Sequence, residues 1–171
     1  MANTEQLAIL KQGVKVWNAW REQNREIDIN LSTANLSEAK LSGIDFYKAD
    51  LSGAILKEIH LTDANLVGAD LYNATLTNAF LDRANLQNAD LREANLQRAQ
   101  LNRTHWRAAN CNRTDFRDVV AQGADFSYAS LEKVKFNRSF LVEAIFCGTY
   151  LAEGDFSQAT IGDTIFTDSD M

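Results

Sequence analysis

Few side chains in this chain have the chemistry of a reactive site, and their spacing sets no two of them together. The histidines are His60 and His105, and the cysteines are Cys111 and Cys147. Neither pair has the helical or strand spacing that turns two ligands to one side. The cysteines also lack the close pairing of a zinc site and the dense framework of a small secreted domain, so both are expected as reduced thiols. No nucleophile stands with a base, no carboxylate pair marks a cleft, and no glycine-rich phosphate loop is present. No catalytic residue, cofactor site or metal ligand is therefore assigned, no cofactor is expected, and the chain reads as a protein that is not an enzyme. What does recur is slower: Asp50, Asp70 and Asp90 lie 20 residues apart, and so do Phe80, Val120 and Phe140 on multiples of the same interval, with Val142 beside the last. Such spacing matters only if the backbone returns to the same place every 20 residues.

The sequence supplies that return. Every fifth residue from Leu31 to Met171 is large and apolar with few exceptions, and the register holds over 29 positions. Among the exceptions, Cys111 and Ala121 are small, and Trp106 is the largest. Two residues before each of these, 17 of the 29 are alanine, the others being Ile, Val, Thr, Ser or Gly. A period of five is neither the 3.6 of a helix nor the 2 of a strand, so the chain must turn once per unit. One large and one small side chain per quintet then face inward, and Asn, Asp, Ser, Gln, Arg and Glu dominate the remaining positions. Proline is absent, as expected where backbone N–H groups are needed along the whole length.

Segments such as Ala64-Asn65-Leu66, Ala69-Asp70-Leu71, Ala84-Asn85-Leu86 and Ala89-Asp90-Leu91 resemble the signature of the pentapeptide-repeat family, and the resemblance covers residues 29–171. It implies an all-β solenoid, a right-handed quadrilateral β-helix in which four quintets make one coil of 20 residues. About seven coils at a strand spacing of ~4.8 Å would make a rod roughly 34 Å long. The organisation expected is an N-terminal capping helix over residues 1–26 and a β-helix over residues 27–171, one domain in all.

In the N-terminal segment, Leu7, Leu10, Val14 and Trp17 recur at spacings of three and four. This predicts a helix from about Thr4 to Asn24, with Asn3 as N-cap, Gln6 three residues on, and Gly13 as a weak point. Its role would be a lid over the open bore and unpaired edge of the first coil. The segment also looks like that of cyanobacterial members of the family. At the other end no comparable helix is read, which leaves Phe166 and Met171 near an edge that invites pairing with a second copy. Nothing near the N-terminus reads as a secretion signal and no apolar run is long enough to span a membrane, so a cytoplasmic protein without membrane contact is expected.

With residues 20 apart stacked, surface columns follow by counting. One reads Asn30, Asp50, Asp70, Asp90, Asn110, Ser130, Tyr150, Asp170. It is either an acidic track, in which neighbouring carboxylates raise one another's pKa, or a row of ordinary turn residues bonded to nearby backbone, the better-supported reading. Another reads Lys40, His60, Phe80, Gln100, Val120, Phe140, Thr160, and there Phe80, Val120, Phe140 and Val142 form a possible contact patch. Formal charge is −6 overall, which argues against direct nucleic-acid binding. It is segregated: residues 29–82 carry −4, residues 83–117 carry +4 through seven arginines, and residues 141–171 carry −6. The reading reached is a non-catalytic protein-binding or scaffold protein whose partner the sequence does not identify. The alternative comes from the resemblance, since some family members are acidic, dimeric imitators of B-form DNA that bind DNA gyrase.

Overall fold

The computed structural model describes residues 1–170. Met171, the last inward position of the repeat, lies outside them. From Asn30 onward the chain winds so that every fifth residue makes a parallel bridge to the residue 20 further on, beginning with Asn30 to Asp50 and ending with Tyr150 to Asp170. Four turns per circuit follow directly, and residues 20 apart lie side by side.

The quintet around Leu86 shows why five residues suffice. Asn85 N–H donates to Ala64 O of the preceding coil at 2.9 Å, while Leu86 N–H and Asn88 N–H donate to His105 O and Arg107 O of the next at 2.7 and 3.0 Å. Ala89 N–H closes the turn onto Leu86 O at 3.1 Å, and Gln87 N–H is taken by Asn85 Oδ1 at 3.1 Å. All five N–H groups are used, which leaves no position for proline. Closing a turn every five residues requires a left-handed residue at its third position, as in a type II turn. From Thr33 to Asp168 every fifth residue has φ between 54° and 71°, although only Gly43, Gly53, Gly68, Gly123 and Gly148 among them are glycines. A non-glycine residue there costs about 1 kcal/mol, and the hydrogen bonds to both neighbouring coils offset it.

The bore is packed in two styles. From Leu51 to Leu101 every large inward residue is leucine, and all are fully buried. Beyond Trp106 aromatic rings take over two opposite walls. Trp106, Phe126, Phe146 and Phe166 stack along one at 5.0–5.3 Å, and Phe116, Phe136 and Phe156 along the other at 4.8–5.2 Å. Rings from the two walls meet edge to face, as at Phe116 and Phe126, 5.8 Å apart, a favoured aromatic geometry. The small inward residues Cys111 and Ala121 fall on the other two walls, beside Trp106 and Phe116.

The N-terminal segment departs from the single helix expected over Thr4 to Asn24. It forms α1 (Thr4–Leu10) and α2 (Val14–Gln23), divided at Gly13, whose φ of 100° ends one helix and precedes the next. Asn3 caps α1 as read, its Oδ1 accepting from Glu5 N–H and Gln6 N–H. The Gln6 side chain does not fold back to the helix start: its amide donates to Asp28 O and accepts from Asn30 N–H, both at 2.8 Å. Asn18 on α2 repeats the device, donating to Gly43 O and accepting from Asp45 N–H at 2.9 Å. Asn3 N–H and Trp17 Nε1 donate to Asn30 O and Asp45 O at 2.8 Å. The bonds at Asn30 N–H and O and at Asp45 N–H and O are those a preceding coil would make, so two amide oxygens, an indole and one backbone N–H stand in for it on two faces. Trp17 is fully buried, edge to face with Phe46.

Candidate functional site

Four columns of outward residues run along the coils, each one position before an inward residue. In three of them most positions are Asn or Asp, and the structure gives these a local task. Asp50 Oδ1 accepts from Ser52 N–H at 2.9 Å, Asp70 Oδ1 from Tyr72 N–H at 2.9 Å, and Asp90 Oδ1 from Arg92 N–H at 3.1 Å. Asn35, Asp45, Asn65, Asn85, Asn95, Asp115, Asp125 and Asp155 do the same for the residue two further on. Each supplies the one N–H in its quintet that no backbone carbonyl takes. Asp50, Asp70 and Asp90 bridge in succession as counted. The pKa rise expected from their mutual repulsion is corrected at Asp90: the Arg92 side chain, bonded to both carboxylate oxygens, holds it below the ordinary value against the opposing effect of burial.

The remaining column, Lys40 to Thr160, contains no Asn or Asp at all. The task is met there two positions further on, from the coil before. Asn102 N–H and Nδ2 donate to Asp82 Oδ1 at 2.8 and 3.0 Å, and Gln122 N–H donates to Asn102 Oδ1 at 3.1 Å. Residues 100 and 120 are thereby released from hydrogen-bonding duty, because the ladder serves Asn102 N–H and Gln122 N–H. The column carries His60 stacked on Phe80 at 4.6 Å, and beyond Gln100 come Val120 and Phe140, 41% and 39% exposed. Val142 is half-buried beside Phe140. Phe80, Val120, Phe140 and Val142 thus lie on one flat face, as counted. Sequence reading missed the Asp82–Asn102–Gln122 ladder that makes this composition possible; its signal was three amide or carboxylate side chains at 20-residue spacing.

Two models of the pentapeptide repeat, one described as a pentapeptide repeat region and one as eight copies of the repeat, match residues 29–106 and residues 107–138 and 129–168. The chain belongs to the pentapeptide-repeat family. That membership assigns its coil to the right-handed quadrilateral β-helix. Similar solved structures include HetL, a pentapeptide repeat protein involved in heterocyst differentiation regulation from Nostoc sp. strain PCC 7120. It is 23% identical over 90% of this chain and 93% of its own, with a TM-score of 0.39. QnrB1, a plasmid-mediated fluoroquinolone resistance protein, is 21% identical over 82% of this chain and 71% of its own, TM-score 0.46. Rfr23 from the cyanobacterium Cyanothece 51142 is 21% identical over 86% and 96%, TM-score 0.29. No curated protein matches the chain significantly.

In this pentapeptide-repeat protein the arginine belt is partly neutralised. Arg83 makes a two-pronged pair with Asp63 rather than stacking on Arg103, Arg138 makes one with Asp118, and Arg92 and Arg117 fold onto Asp90 and Asp115. Arg107 lies over the Tyr128 ring at 4.5 Å. Arg98 and Arg103 make no ion pair among the described residues. His105 is exposed and His60 is half-buried under its stack. Cys111 is fully buried, which pushes its thiol far up from the ordinary value and makes it unreactive, whereas Cys147 is half-exposed. No group of metal ligands is found among the described residues, and none of their helices is long and apolar enough to cross a membrane. The bore is filled, and hollows lie on the surface alone. One of about 200 Å³ lies between α1 and the first coil, against Leu7, Leu10, Leu36 and Leu41.

Proposed function

We propose that the chain is a non-catalytic protein-binding module, a rod of about seven coils capped by α1 and α2, that engages a partner protein through the Lys40 column at Phe80, Val120, Phe140 and Val142. One observation carries this reading. In the other three columns most positions hold an Asn or Asp that answers to a backbone hydrogen bond, with Ile55, Tyr150 and Ile165 among the exposed exceptions, whereas in this column no residue does, and Val120 and Phe140 stand exposed on successive coils. Fold stability alone gives no reason for Val120 and Phe140 to be apolar, and aligned exposed apolar groups are what protein contacts use.

The alternative, an acidic DNA-like modulator of gyrase acting through Asp50, Asp70 and Asp90, is supported by their succession along one face. It is weakened by the turn bond each accepts and by the Arg92 side chain lying across Asp90. The test is capture from a lysate of the source organism with three baits: the intact chain, Phe140→Asp, and Asp50→Lys/Asp70→Lys/Asp90→Lys. A partner lost only with Phe140→Asp supports the apolar face. Gyrase subunits lost only with the triple variant replace it with the acidic reading, and a partner retained by both removes both.

A further inference from the structure

Resting on the apolar-face reading, we infer that the partner element is an amphipathic helix lying along the rod axis, with apolar residues at three rungs and an acidic residue at the Gln100 rung. Two independent observations lead there, one of spacing and one of charge.

The rungs of the face are strand neighbours, so Phe80, Gln100, Val120 and Phe140 stand at heights of roughly 0, 4.8, 9.6 and 14.4 Å along the rod. A helix laid along the same direction presents residues i, i+3, i+7 and i+10 on one side, at heights of roughly 0, 4.5, 10.5 and 15 Å. Each of its four residues therefore meets one rung. An extended strand in that direction turns a side chain to the face only every ~6.7 Å and slips out of step after the first contact. Three of the four rungs, Phe80, Val120 and Phe140, ask for an apolar residue.

Charge decides the fourth. Arg98 and Arg103 stand at the two corners of the face on either side of Gln100, and both are exposed. The other arginines bordering the face are committed within the chain, Arg83 to Asp63 and Arg138 to Asp118. Asp82, beside Arg103, is bonded by Asn102. The stem of Arg103 packs against Gly123, where an added Cβ would lie 3.6 Å from its Cγ, so no side chain from the coil above covers it. A hollow of about 210 Å³ beside this rung is lined by Asp82, Arg83, Asn102, Arg103 and Gln122. A carboxylate at i+3 lies between Arg103, which lines this hollow, and Arg98 at the opposite corner, whose charge also acts on Asp118 but which makes no ion pair among the described residues, with Gln100 able to donate between them.

The experiment uses the full chain and a labelled synthetic helical peptide of about 18 residues, with leucine at i, i+7 and i+10 and glutamate at i+3, titrated by fluorescence anisotropy. Replacing that glutamate by lysine is expected to weaken binding about tenfold, since two exposed charge pairs turn from attraction to repulsion. The Arg98→Glu/Arg103→Glu chain is expected to reverse the preference, and Phe140→Asp to lose both peptides, with melting curves showing each variant folded. Equal binding of the two peptides, or none to the folded intact chain, overturns the helix inference. If the capture experiment still yields a partner lost with Phe140→Asp, the apolar-face reading survives that failure. Peptide binding that persists undiminished in Phe140→Asp overturns both.

Discussion

Three faces of this rod and the fourth obey the same backbone rule by different means. On three, most positions before the inward residue hold an Asn or Asp that accepts the N–H two residues on, and Asn112 serves Glu132 N–H where Ser130 takes that place. On the fourth, Asp82 and Asn102 pass that service up a side-chain ladder, and the column beside them is occupied by histidine, phenylalanine, glutamine and valine. The difference teaches that the Ala-Asn/Asp-Leu signature is hydrogen-bond accounting written into sequence. A column that abandons it has been relieved of a structural duty and can answer to something outside the fold.

That contrast assumes one bore beneath all four faces, and the largest effect expected tests this. Phe126→Ala removes a fully buried ring that stacks on Trp106 and Phe146, and should cost about 3–5 kcal/mol. Chemical denaturation would measure it. A loss below ~1 kcal/mol would mean that the aromatic walls do not share their packing, and the faces could not then be compared on a common frame.

Next in size is the duty itself. Asn85→Ala leaves Gln87 N–H without its acceptor and should cost about 1 kcal/mol. Gln100→Ala, at the corresponding position of the fourth face, should cost nearly nothing, because Asn102 N–H is served by Asp82. Asp82→Ala should bring the cost back to about 1 kcal/mol. Equal losses for Asn85→Ala and Gln100→Ala would erase the distinction between the faces. Smaller still is the effect of restoring the signature where it is missing. Phe140→Asn gives Val142 N–H an acceptor and removes a partly exposed ring, two opposed changes that should leave stability within about 0.5 kcal/mol of the parent, while partner binding is lost. A variant that is both destabilised by several kcal/mol and non-binding would make Phe140 a packing residue.

Much of this was legible in the sequence because a strict period makes spatial neighbours countable. The 20-residue columns, the inward leucines and phenylalanines, the Asn3 cap and the outward Phe80, Val120 and Phe140 all follow from spacing. What was not legible depends on where side chains turn. Nothing in the spacing of Gln6 and Asn18 says that their amides will imitate a missing coil, since a helix surface offers an amide several partners. The break at Gly13 is a choice between one helix and two docking sites, decided by the first coil against which both helices pack. The commitment of Arg83 to Asp63 rather than to a shared basic patch with Arg103 is likewise set by side-chain reach, which column counting does not see. For the candidate face, counting found its members but not the Asp82–Asn102–Gln122 ladder that explains them.

The smallest effect contrasts two aspartates. Asp90 lies in a signature column, and Asp118 borders the apolar face. Both carboxyls sit below the usual 3.8, each chiefly through a hydrogen bond from an arginine side chain, Arg92 for Asp90 and Arg138 for Asp118. A carboxyl lowered in the fold adds stability that is present above its ordinary pKa and is lost as pH falls through the lowered value. Arg92→Gln should raise Asp90, because burial, which opposes ionisation there, outweighs the remaining backbone bond from residue 92. Arg138→Gln should raise Asp118 as well, where burial again opposes ionisation while the charges of Arg98 and Arg117 favour it. Carboxyl-detected NMR titration of the two variants reads both shifts directly. A rise at neither carboxyl would mean that the arginine bonds do not hold these aspartates ionised, on the signature column or beside the apolar face.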